Sequence, residues 1–174
     1  MHVSAILTVI GRDRPGLTQA LADVVAETGG NWGDSQLARL GGHYVGSVLV
    51  ELPAGGLPAL EQALRCLPDD LTVTLVEVTP EPHPPEGSRF SVSLVGQDRQ
   101  GILREVTSVL AEMGVNIESL ETGLEHEAWT GQKLFRADVQ IFVPASLPLE
   151  VVADALEHIS GEIMVDINLS EALR

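Results

Sequence analysis

Basic residues are scarce in this chain. Ten Lys and Arg stand against 25 Asp and Glu, a formal net charge of −15 over 174 residues. Such a field repels a phosphate backbone, and no window gathers the Lys and Arg that direct nucleic-acid binding needs. Cysteine is scarcer still. The single one, Cys66, excludes an internal disulfide framework and fits a reducing compartment. It lies in a helical pattern between Arg65 and Leu67 and reads as a small buried hydrophobe. Aromatics make up only 3%, so a core must be built mostly from Leu, Val, Ile and Ala. No apolar run approaches about 18 residues, and no charged segment followed by an apolar core opens the chain. Neither a membrane span nor export is expected, and the cytoplasm is the expected location. What is present is ample: 44% apolar residues can bury a real core, in a length that suits one ordinary domain or two small ones.

The organising stretch is GRDRPGL, Gly11 to Leu17, because the chain contains it twice. Eighty-five residues on stands GQDRQGI, in which Gly96, Asp98, Arg99 and Gly101 repeat Gly11, Asp13, Arg14 and Gly16. Each copy follows an apolar run and opens a helical pattern, so each reads as a strand-to-helix turn. Glycine permits the tight turn and the close approach of another group. Asp13 and Asp98 are candidate N-caps, and Pro15 suits a first helical turn. The free amides of the helix start, at the positive end of the helix dipole, would make each turn a receptor for an anion.

In chain order, Val3 to Ile10 is nearly continuous in apolar residues, as in a strand with neighbours on both sides. Leu17, Leu21, Val24, Val25 and Thr28 share a helical face, and Gly29 is read as the C-cap. Trp32 to Leu40 reads as a second strand, Gly41-Gly42 as a hairpin turn and His43 to Leu52 as a third strand. Leu57, Leu60, Leu64 and Leu67 line a second helix, with Pro58 in its first turn. Leu71 to Val78 then alternates as a fourth strand. The order β-α-β-β-α-β is the split βαβ arrangement, one antiparallel sheet with two helices on one face. Strands one and three should be central, being apolar at nearly every position.

Residues 79–88 carry four prolines between Pro80 and Pro85, a composition that favours extended polyproline II and marks a domain boundary. The second half repeats the first. Ile102, Val106, Val109, Leu110 and Met113 reproduce the first helical face, and Gly114 and Asn116 match Gly29 and Asn31, all at an offset of 85. Leu149, Val152, Leu156 and Ile159 echo the second helix at an offset of 92. Seven extra residues therefore precede that helix, assigned to a longer hairpin around Glu125 to Lys133. Two repeats that keep caps, glycines and apolar face in one register are strong evidence of duplication. The expected domains are 1–79 and 88–174, with 80–87 as linker.

These residues carry a recognisable pattern. A strand, a D-R-x-G turn, a helix and a G-x-N before the second strand resemble the ACT domain, a ligand-sensing module of amino-acid metabolism. Here they are Asp13-Arg14-Pro15-Gly16 with Gly29-Gly30-Asn31, and Asp98-Arg99-Gln100-Gly101 with Gly114-Val115-Asn116. The resemblance implies an α+β fold of two tandem ferredoxin-like βαββαβ domains. Asn31 to Gly42 is further similar to the N-x-x-D-S-R-L-A-x-L-G-G signature of the glycine cleavage system transcriptional repressor group. Trp32 and Gln36 depart from that group's usual Ile and Arg, and the second domain matches only the general ACT pattern.

Each turn, taken with its Asn, reads as a site. Helix-start amides would hold a carboxylate, and the Asn amide both donates and accepts, so a free α-amino acid is the matching ligand. By the resemblance, the binding residues would be Asp13, Arg14, Pro15, Gly16 and Asn31, and in the second repeat Asp98, Arg99, Gly101 and Asn116. The competing reading is that Gly, Asp and Asn serve only as turn and cap chemistry. No catalytic motif is present, and the five histidines are scattered. Glu125-His126-Glu127 alternates faces on a hairpin, so it reads as a solvated loop, not a metal site. Trp129 is a candidate partner contact or a packing residue over that hairpin. No catalysis, metal or cofactor is expected.

Two functional readings follow. One is a sensor of a small amino acid, glycine being a candidate, that regulates transcription through a basic transcription factor without touching DNA. The other is a trans-acting or structural ACT subunit of a metabolic enzyme with no ligand of its own. A split βαβ sheet leaves one face and two edges uncovered, so a homo-oligomer or paired domains are also expected. ACT domains typically pair side by side.

Overall fold

The computed structural model describes residues 2–68, 70–79, 86–126, 133–159 and 163–169. The chain divides into two compact units, Met1–Pro82 and His83–Arg174. The linker expected at 80–87 falls largely outside the described residues, as does Trp129.

The first unit runs β1 (His2–Arg12), α1 (Leu17–Glu27), β2 (Asn31–Leu40), β3 (His43–Pro53), α2 (Leu57–Leu64) and β4 (Leu71–Val78). Its strands form one antiparallel sheet in the order β2-β3-β1-β4. The strands expected in the centre, β1 and β3, are there, each paired along both edges. Alternation along β1 sends Ala5, Leu7 and Val9 to the helix side, and β3 sends Val48, Val50 and Leu52 there. Leu17, Leu21 and Val25 of α1 and Leu60 and Leu64 of α2 close over them. No aromatic ring belongs to this fully buried set; Trp32 and Tyr44 pack at its margin.

The second unit repeats the arrangement with β5 (Gly87–Gln97), α3 (Ile102–Glu112), β6 (Asn116–His126), β7 (Lys133–Pro144), α4 (Leu149–Glu157) and β8 (Ile163–Leu169). The sheet order is β6-β7-β5-β8. Val92 and Leu94 face Ile102, Val106, Leu110, Val152 and Leu156 in its core. Strand registers locate the seven extra residues. His2 pairs with Pro53 and Gly87 with Pro144, an offset of 91 on the third strand of each repeat. Six of the extra residues thus lie in the β6–β7 hairpin and the seventh between β7 and α4.

Two local expectations are corrected. Cys66 is exposed, not buried. Helix α2 has Arg65 as its C-cap, so Cys66 stands beyond the apolar stripe and outside the last helical turn. Thr28, not Gly29, is the C-cap of α1; its hydroxyl donates to the carbonyl oxygens of Val24 and Val25, and Gly29 follows at φ 74°. Strand β2 carries a bulge between Trp32 and Ser35, where Gly33 and Asp34 interrupt pairing with β3.

Candidate functional site

The two turns have nearly the same backbone. Gly16 and Gly101 are the N-caps of α1 and α3, at φ 90° and 91°, in the left-handed region that disfavours a Cβ. Neither helix start receives a side-chain capping hydrogen bond. This overturns Asp13 and Asp98 as N-caps, and it places Pro15 before the cap, outside the helix. Both aspartates stand three residues before the capping glycine, with backbone amides turned to the neighbouring hairpin: Asp13 N–H donates to Gly42 O at 3.1 Å and Asp98 N–H to Lys133 O at 3.0 Å. The first intrahelical bonds run from Ala20 N–H to Gly16 O (2.9 Å) and from Glu105 N–H to Gly101 O (3.0 Å). The amides that precede these bonds lie at the positive end of each macrodipole, although in α3 the Ile102 N–H already donates to Arg99 O at 3.4 Å.

The charged side chains of the first turn are engaged. Asp13 pairs with Arg39 of β2 at 2.8 Å. Arg14 meets Asp70 through two bonds of 2.9 and 3.3 Å. That hydrogen bond, followed by the charge attraction, raises the Arg14 pKa; the same hydrogen bond holds the Asp70 carboxyl below its usual range. Behind the turn, Gly11 leaves no room for a side chain, since a Cβ there would lie 2.6 Å from Asp70 O. Close approach is thus what that glycine provides.

The second turn differs in one respect. Glu105, in the first turn of α3, receives Arg99 in a bidentate pair at 2.7 and 2.5 Å. Hydrogen bonding from Arg99 holds the Glu105 carboxyl below its usual range. A carboxylate of the protein therefore already sits near the positive end of α3, whereas α1 has no acidic residue in its first turn. A cleft of about 760 Å³ lies beside this turn, lined by Gly101, Arg104, Glu105, Ser108 and Ile159 among others.

The structure does not bring the asparagines to the turns of their own units. Asn31 opens β2 opposite Glu51, and Glu51 pairs with Ser4 near the start of β1. The turn leaves β1 at Arg12, eight residues further on, a separation of about 26 Å at about 3.3 Å per residue. The second unit is the same: Asn116 opposes Phe142, which pairs with Arg89, while the turn leaves β5 at Gln97. The cause is topological. A helix that returns antiparallel to β1 delivers β2 to the end of the sheet where β1 began. A five-heavy-atom ligand cannot touch both groups of one unit. Among the described residues no cluster of His, Cys, Asp and Glu could hold a metal ion. Among the same residues no helix is long and apolar enough to cross a membrane.

Comparison with known proteins agrees with this architecture. ACT-domain family models match residues 4–78 and 88–166. The glycine cleavage system transcriptional repressor of Escherichia coli (strain K12) is 22% identical over 165 residues, covering 94% of this chain and 85% of that protein. Among solved structures, an unknown protein from Galdieria sulphuraria superposes with TM-score 0.83 at 28% identity, covering 98% of this chain and all of that one. A crystal structure described as a glycine cleavage system transcriptional repressor gives TM-score 0.72 at 19% identity, with 99% of each chain covered. With two matched repeats spanning both sheets and all four helices, the chain belongs to the ACT-domain family, as a tandem pair of such domains.

Proposed function

We propose that this chain is a regulatory protein that senses a small amino acid and acts on gene expression through a protein partner, with no catalysis of its own and a cytoplasmic location. The observation that carries the reading is the pair of helix starts, each opened by a left-handed glycine and left without a side-chain cap. Amides at a helix dipole's positive end suit the carboxylate of an amino acid. The first turn is the stronger candidate, because Glu105 already places a carboxylate near the second. Asp13, Arg14, Pro15 and Gly16 would form the carboxylate side of one site, and Asp98, Arg99 and Gly101 that of the other. Asn31 and Asn116 would contribute only to a site completed from outside their own unit. The domains are taken as 1–79 and 88–174, joined by 80–87.

The related repressor's name directs attention to glycine. With about five heavy atoms and at most about −1.5 kcal/mol per atom, glycine binds no tighter than micromolar, a range suited to a metabolite pool. A net charge of −15 argues for a basic protein partner and against DNA. A second reading, a trans-acting or structural ACT subunit of a metabolic enzyme with no ligand, draws support from the ion pairs that already occupy Asp13, Arg14 and Arg99. A gel shift with the purified chain alone at low salt tests the partner claim. Free DNA should stay unshifted, and saturable retardation of promoter DNA would contradict it.

A further inference from the structure

The two units build the same sheet but treat its open face differently. In the first unit, the face turned away from the helices carries Ile6, 37% exposed, Ile10, 53%, and Val76, 55%. Registers place Ile6 between Leu49 and Val76, Thr8 between Ser47 and Thr74, and Ile10 between Val45 and Thr72. No charge interrupts these three rows. The matching positions of the second unit are Ser91, Ser93 and Val95 on β5, with Gln140, Asp138 and Arg136 opposite them on β7. There Gln140 donates to the Ser91 hydroxyl at 2.7 Å, Ser93 donates to Asp138 at 2.6 Å, and Arg136 pairs with Asp138 at 3.0 Å. The second unit shows what this face looks like when it is built to meet water. The fold does not require an apolar version, so the first face needs another explanation.

Charge indicates the occupant. The apolar rows are bounded at one end by Glu51, in the row of Ser4, and at the other by Arg12, opposite His43. Both are exposed on the open face, since their strand neighbours Val50, Leu52 and Gly11 are buried on the other. The face is thus neutral in the middle, negative at one end and positive at the other. Two such faces stacked antiparallel about a twofold axis set Glu51 of each copy against Arg12 of the other. In a chain of net charge −15, this neutral, end-polarised patch lets like-charged copies meet without repulsion. We infer that the open face of the first unit, centred on Ile6, Thr8, Ile10 and Val76, is the contact of a homodimer with a second copy of this chain. The pairing is face to face, not edge to edge, and it does not depend on the ligand reading.

Sedimentation velocity of the full chain tests it. At about 100 µM, a concentration at which even a weak specific dimer assembles, wild type should sediment at twice the chain mass. Ile10→Asp should sediment as a monomer with an unchanged far-ultraviolet dichroism spectrum, whereas Val95→Asp, its counterpart on the second face, should remain dimeric. Arg12→Glu and Glu51→Arg should each weaken the dimer at least tenfold, and the double variant should restore it. This charge exchange keeps the proposal testable if Ile10→Asp fails to fold. A monomeric wild type, which would leave the face to a different protein or to the chain's own second unit, overturns the proposal. So does a folded Ile10→Asp dimer, or a double variant no stronger than its parents.

Discussion

Gly16 and Gly46 both have positive φ, yet the structure holds them for different reasons. At Gly16 (φ 90°) an added Cβ meets nothing within 4 Å, so only the backbone conformation selects glycine. At Gly46 (φ 150°) a Cβ would stand 1.9 Å from Gln36 O, inside the β2–β3 ladder. Gly16→Ala should therefore cost about 1–2 kcal/mol, the left-handed penalty alone. Gly46→Ala should cost about 3 kcal/mol or more, because two backbones must separate. Denaturant unfolding of the two variants checks this, and equal losses would contradict the contact argument. Only the first of these was legible in the sequence. A glycine before a helical pattern announces a turn, whereas the need for Gly46 arises from a strand ten residues away.

At the scale of elements, apolar periodicity fixed which strands lie centrally and which helix faces are buried, because one hydrophobic side per element is all that a two-layer fold requires. The offset of 85 carried that reading as far as Asn116, and offsets of 91 and 92 carried it through the third strand and the second helix. Periodicity failed where the element had already ended: Cys66 continues a helical spacing past the C-cap Arg65, and spacing alone cannot show the end. It also missed the polar network on the second sheet, where the partners come from separate strands. Within that network the Ser93 hydroxyl, and then Arg136, hold the Asp138 carboxyl below its ordinary 3.8. A depressed native pKa means stabilisation present above the unfolded value and lost as pH falls through the folded one. Asp138→Asn should therefore be less stable than wild type at neutral pH, and the gap should close as pH falls below the ordinary carboxylate range. Urea unfolding across that range measures it. A gap independent of pH would show that the carboxylate's charge contributes nothing.

At the scale of the molecule, the candidate site was only half legible. The turn residues and the asparagines are each where the pattern places them along the chain, but adjacency in a motif is not adjacency in space. The return of α1 sends Asn31 to the far end of the sheet from Gly16, so the proposed site, if it uses both, would need a second contributor. That geometry also sharpens what Asn31→Ala reports: a change in ligand response with an unchanged unliganded melting point marks a binding group, because Asn31 is exposed at a strand start. Amino-acid sensing is the centre of the proposed function, and a thermal-shift panel of the twenty amino acids against the purified full chain checks it. At ten times its Kd a bound ligand adds about 1.4 kcal/mol, on the order of 6 °C for a unit of this size. Such a rise is expected for one or a few small amino acids, glycine among those to examine first, with its loss in Asn31→Ala. A melting point that no amino acid moves, even at millimolar concentration, would contradict it.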